Sequence, residues 1–338
     1  MSKKAEPVRI EITSKTILFT LGVIVLFYFL RTLSDLFFNL FISFILMSSL
    51  KPIVDWFVSK KVSRSFASII VLLVGLIAIF SLFYFAIPPL IIQTLDFLVY
   101  MSKQLVLTLQ QIDSKFSPTD LLKIPSLTQH IPSITNLASK TILGFFGNII
   151  NVISIFFFTL YFLLGIGELE KFAQQFLTEK QARFFLETLK NVEKQLGAWM
   201  RAMLLLMLVI GVFSYFGLMI LGINYALPLA VIAGVLEIFP IIGPVVSAIP
   251  AFFVAASSSW ILGLAVIALY IIIQQLENNL IVPQVMRKAI GIPPLAVIIS
   301  VIIGQKIAGI PGIMLAVPFV ATIVIILKEI LKYREEEK

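Results

Sequence analysis

The chain has 338 residues, of which 59% are hydrophobic and 13% charged, with a mean hydropathy of +1.05 and a formal net charge of +8. No soluble fold of this size can cover so much apolar surface, which excludes a soluble enzyme, a disordered chain and a fibrous protein. Cysteine is absent and His130 is the single histidine, so disulfides, thiolate chemistry and a Cys- or His-built metal centre have nothing to form from.

The apolar residues come in blocks long enough to span a bilayer. Residues 1–15 carry Lys3, Lys4, Arg9 and Lys15 and read as a cytoplasmic N-terminus. Residues 16–97 hold three blocks, expected as the first three membrane helices. The first lacks a small-residue cleavage site and runs on past Arg31, so it reads as an uncleaved span. Pro88-Pro89 break the third.

Residues 98–140 are polar, with Asp113, Pro118 and Asp120, and predict an extracytoplasmic segment. A fourth membrane helix is expected over 141–166. Residues 167–201 turn charged, yet Phe185, Leu189, Val192, Leu196, Trp199 and Met203 recur at helical spacing. That stripe predicts a cytoplasmic helix lying on its own bundle or on lipid, with subunit self-association as the alternative. Residues 202–331 form a C-terminal membrane region and 332–338 a cytoplasmic tail.

Two blocks of the C-terminal region are interrupted. Residues 226–257 contain Pro228, Pro240, Gly243, Pro244 and Pro250; residues 293–331 contain Gly304, Gly309, Pro311, Gly312 and Pro318. The second exceeds the ~17–25 residues of one span. Broken backbone survives in lipid only where protein or a watery cavity satisfies it. The two blocks also resemble each other. Gly243-Pro244 followed by Ala248-Ile249-Pro250 parallels Pro311-Gly312 followed by Ala316-Val317-Pro318. Repeated, Gly/Pro-interrupted segments point to a transporter's binding site.

The fold class is therefore all-α, a polytopic membrane protein of about eight helices with broken or re-entrant helices in its C-terminal third. Eight spans put eighteen Lys and Arg on one side against seven on the other, which places both termini in the cytoplasm of a cell (inner or plasma) membrane. A re-entrant 226–257 with a two-segment 293–331 keeps the same termini.

Ionisable groups at bilayer depth are costly, so each needs a reason. Glu237 precedes Pro240, Lys306 follows Gly304-Gln305, and Gln274, Glu277 and Asn278 lie in a polar run that must face protein, water or the interface. Glu237 and Lys306 precede the repeat glycines Gly243 and Gly312 by six residues each and carry opposite charge, which suggests a pair across one cavity. No phosphate-binding loop and no protease dyad occur, so an enzyme is not expected. Nor does a basic stripe interleaved with aromatics invite nucleic acid.

Three motifs then stand in order: Leu236-Glu237-Ile238-Phe239-Pro240-Ile241-Ile242-Gly243-Pro244, Gln274-Gln275-Leu276-Glu277-Asn278-Asn279 with Pro283, and Gly309-Ile310-Pro311-Gly312 through Pro318. Together they resemble the AI-2E family of bacterial autoinducer-2 exporter-like permeases. The resemblance implies export of a small polar solute, sodium/proton exchange in some relatives, and homo-oligomers. By motif it carries over Glu237, Gly243, Pro244, Glu277, Asn278, Pro283, Gly312 and Pro318. Gln305-Lys306 and Arg287-Lys288 depart from the family pattern. The expected partners are the lipid bilayer, a small polar solute or cation and further copies of the chain. No cofactor is expected beyond a coupling H+ or Na+. A sodium/proton antiporter and a passive channel or oligomeric scaffold are the alternatives.

Overall fold

A computed structural model describes residues 19–21, 33–81, 84, 149–239, 242–286 and 294–335. These residues form helices joined by short turns, with no strand among them. The expected first span apart from residues 19–21, the 98–140 segment and the far part of the third block lie outside them, as does Pro240. In chain order the elements are α1 (Ser34–Ser59), α2 (Arg64–Ser81), α3 (Ile149–Phe176), α4 (Glu179–Ile220), α5 (Ala226–Leu236), α6 (Ile242–Ser258), α7 (Trp260–Leu276), a π-helical turn (Glu277–Ile281), α8 (Val282–Met286) and α9 (Pro294–Glu335). Among the described residues, five helices are long and apolar enough to cross a membrane. A sixth counts if α3, bent by 61° between Gly165 and Gly167, is one span.

Outward-facing side chains confirm the solvent these helices are built for. Val74, Ile77, Leu208, Ile220, Ile261 and Ile271 are all exposed, a surface that water would not tolerate. The protein is an all-helical, multi-pass membrane protein.

The organising element is α4. A capping box starts it: the Gln181 amide donates to Thr178 Oγ1, and the Thr178 amide donates back to Gln181 Oε1 at 3.2 Å. From there it runs unbroken through the charged stretch and the following apolar block, about 63 Å in all. It packs on α1, α3, α5, α7, α8 and α9. The helical stripe faces inward: Val192, Leu196, Trp199 and Met203 are core residues, whereas Phe185 is exposed. The segment thus lies on its own bundle.

Both interrupted blocks fold as hairpins. The chain leaves α4 through Gly222 and Tyr225, both at positive φ, and reverses into α5. Gly234 of α5 then lies against the Met207 carbonyl and Gly211 of α4, so α5 runs antiparallel to it. The helix gives way to a turn at residues 237–239, and the chain returns as α6. In the second block Gly309 holds φ 60° and ψ −132°, a conformation open to glycine alone, and splits α9 into arms 294–308 and 310–335. Gly304 and Gly312 meet backbone to backbone across that turn.

The hairpins point in opposite senses along α4. The second arm of α9 packs on the N-terminal end of α4, where Asn191 Nδ2 donates to Glu329 Oε1 at 2.8 Å and the Phe184 and Tyr333 rings lie 4.8 Å apart. Its turn therefore points toward the C-terminal end of α4. The α5–α6 hairpin starts from that C-terminal end and turns toward the N-terminal one.

Candidate functional site

The site is assembled at the α5–α6 turn. Glu237 ends α5, where the helix loses its regular bonding: the Ile238 amide reaches Val235 O at 3.4 Å and the Phe239 amide reaches Leu236 O at 2.9 Å. The chain can turn this tightly because Gly243, buried at the start of α6, lies directly against the Leu236 carbonyl, and a Cβ there would collide with it. Pro244 follows in the first turn of α6, where its missing N–H costs nothing.

Opposite the turn, α7 ends in a π-helical turn at Glu277–Ile281. Such turns push one residue out of the helical register, often at functional positions. Glu277 itself points inward on the same helical face as the buried Tyr270 and Ile273, although its neighbours Leu276 and Asn278 are exposed. Glu237 is 3% exposed and Glu277 6%, and their carboxyls lie within hydrogen-bonding reach of each other. Gln274 Nε2 donates to Glu277 Oε2 at 3.0 Å and lies 3.5 Å from Asn278 Oδ1. Glu237 Oε2 is buried and accepts no hydrogen bond from the described residues.

The structure therefore brings together Glu237, Gly243, Pro244, Gln274, Glu277 and Asn278. Gly312 and Pro318 are buried in the other hairpin, α9. Lys306 lies on the first arm of α9, exposed, and makes no ion pair with Glu237. The expected Glu237–Lys306 pair is thus replaced by a Glu237–Glu277 pair. The equal offset of both residues from the repeat glycines misled because the two hairpins enter from opposite ends of α4. Gly304 and Gly309, in the motif but not singled out, make the second break.

Two arginines went unnoticed in sequence. Arg201 Nη1 donates to the Ser48 carbonyl at 3.2 Å, and Arg64 Nε donates to the Leu163 carbonyl at 2.7 Å, beside the bend in α3. Both tie helices together through backbone acceptors. Among the described residues no group of three metal-ligating side chains occurs.

A family model described as AI-2E family transporter matches residues 17–332. The chain is 26% identical over 317 residues to the protein named "Putative transport protein YrrI" of Bacillus subtilis (strain 168), covering 88% of this chain and 86% of that one. It is 27% identical to "Putative transport protein YueF" of the same organism over 87% and 84% of the two chains. To "Putative transport protein YhhT" of Escherichia coli (strain K12) it is 24% identical over 84% and 82%.

Proposed function

Because the chain belongs to the AI-2E family of transporters, we propose that it exports a small polar solute, coupled to an ion, from a site at the α5–α6 turn. A role in membrane transport follows from the family and from relatives named as transport proteins. The finer reading rests on one observation: two carboxyls are buried together where an apolar hairpin breaks. Each ionisable group at bilayer depth costs at least ~2.5–3.5 kcal/mol on insertion scales, so a structural role alone is an expensive use of two.

In this reading the backbone groups freed at the turn bind polar atoms of the cargo. Glu237 carries the coupling ion, and Gln274, Glu277 and Asn278 shape its surroundings. Gly243 and Pro244 form the break, and Gly312 and Pro318 set the opposing hairpin against which the site alternates in access. The cargo is a small hydroxylated molecule of the autoinducer-2 kind, as the resemblance implies. Both termini lie in the cytoplasm, and the chain works as a homo-oligomer.

The test is flux in proteoliposomes. Purified protein should drive the solute uphill when a pH or sodium gradient is imposed and should dissipate that gradient in return. Solute that only equilibrates, indifferent to either gradient, makes the protein a passive channel and defeats the proposal. Sodium and proton exchange with no solute moved would make it an antiporter of the same family.

A further inference from the structure

Glu237 and Glu277 approach each other from different elements, the α5–α6 turn and the π-helical turn after α7. Neither carboxyl pairs with a described Lys or Arg; the Lys51–Glu193 and Arg64–Asp55 ion pairs lie elsewhere. The polar groups that bear on the pair are the carboxyls themselves, Gln274 on Glu277, and Asn278 beyond it.

We infer that Glu237 and Glu277 hold a single exchangeable proton between them, carried by Glu237 and shared with Glu277. This deepens the transport reading by naming the ion at that site. Two ionised carboxylates in contact, both nearly dry, would repel with nothing to offset the desolvation of either. A hydrogen bond between two carboxyls also requires a proton, because an ionised carboxylate only accepts.

The surroundings say which residue bears it. Glu277 Oε2 already accepts from Gln274 Nε2, the contact an ionised carboxylate needs. Among the described residues Glu237 has no such donor, and its Oε2 is buried without a partner. Glu237 is therefore the acid: its O–H donates to Glu277, and the negative charge rests on Glu277 under the Gln274 amide. Release of the proton leaves two adjacent buried carboxylates with no neighbouring cation among the described residues, so the proton is held until one carboxyl meets water or a cation.

An apolar carbodiimide reads the proton directly. The carboxyl proton passes to a carbodiimide nitrogen, the carboxylate oxygen adds to the central carbon, and acyl migration to nitrogen leaves a stable N-acylurea. The full-length protein in nanodiscs is treated with dicyclohexylcarbodiimide across a pH series and mapped by peptide mass spectrometry. The expected result is one adduct per chain at this site, on Glu237, with labelling that falls as pH rises. In Glu237→Gln the adduct should vanish and not move to Glu277; size-exclusion profile and melting of that variant confirm that it is folded.

Adducts on both residues of one chain would mean two protons and overturn the inference. So would a Glu237 that never reacts while exposed Glu335 does, or labelling blocked by sodium at constant pH without any pH dependence. Labelling needs no transport. A labelled Glu237 in protein that moves no solute keeps the proton site and removes the exporter; solute export with an unreactive Glu237 does the reverse.

Discussion

Arg201 Nη1 donates to the carbonyl of Ser48 at 3.2 Å, and Ser48 is the residue whose helical donor Pro52 removes. A regular helix would bond residue 52 N–H to residue 48 C=O, and proline has no N–H to give. An arginine from α4 supplies the missing donor, with the Ser49 carbonyl 3.5 Å from the same nitrogen. Gly197, one turn earlier, lets the two backbones close, since a Cβ there would strike the Ser48 carbonyl.

This pairing predicts a defined thermodynamic cycle. Arg201→Leu should destabilise the fold by about 1–3 kcal/mol, the cost of a buried acceptor left unsatisfied. Pro52→Ala restores the helical donor, so it should recover much of that loss in the Arg201→Leu background and little in the native one. Unfolding of the four proteins in one detergent measures the coupling; equal effects of Pro52→Ala in both backgrounds would refute it.

The neighbouring Lys51–Glu193 contact, 2.6 Å long and mostly buried, fixes the same crossing of α1 and α4. Lys51→Glu and Glu193→Lys should each lower the melting temperature by placing like charges together. The double swap should restore most of it. Additive loss in the double variant would show that the contact contributes through something other than charge.

The hairpins make a prediction about small residues. Gly243→Ala, Gly304→Ala and Gly312→Ala should each abolish transport and reduce stability, because each added methyl meets a backbone carbonyl that cannot yield. Gly309→Ala should act through its positive φ, with no collision, and cost about 1–2 kcal/mol. Gly75→Ala and Gly165→Ala face open space and should be tolerated. Flux and melting measured on all six separate the groups; a silent Gly312→Ala would dissolve the second hairpin as drawn.

The orientation is testable because the chain has no cysteine. Glu187 lies toward one end of α4 and Tyr225 in the turn beyond the other. In Glu187→Cys the thiol should be shielded from an impermeant maleimide in intact cells, whereas in Tyr225→Cys it should react. The reverse pattern would invert the proposed topology.

Much of the fold was legible in the sequence because membrane helices announce themselves through apolar length, and breaks through Gly and Pro. The inward face of α4 was readable from the spacing of Val192, Leu196, Trp199 and Met203, and the break after α5 from the Gly and Pro residues that follow Glu237. What could not be read was direction. Glu237 and Lys306 stand at equal offsets from their glycines, but a linear pattern does not say that one hairpin enters from each end of α4. Glu277 was legible as a costly polar residue, and it continues the buried face of Tyr270 and Ile273; that this face meets Glu237 depends on how α7 packs beside the α5–α6 turn, which a linear pattern does not give. Arg201 looked like one more orienting charge, because its partner is a main-chain oxygen exposed by a proline 149 positions away.

The short arms bear on how the protein meets membrane voltage. Residues 294–308 reach about 22 Å and α5 about 16 Å, both less than the ~30 Å of hydrocarbon. Backbone at their turns must be met by protein or by water. Where water meets these turns from opposite faces, only a thin insulating layer would lie between them. The electric potential would then drop across that layer, more steeply than through the surrounding lipid, with the Glu237–Glu277 pair beside it. A unit charge crossing there would exchange close to the full ~2.3 kcal/mol per 100 mV over only a few ångströms of travel. Small rearrangements of the α5–α6 turn would therefore be electrogenic and could be driven by the resting potential alone.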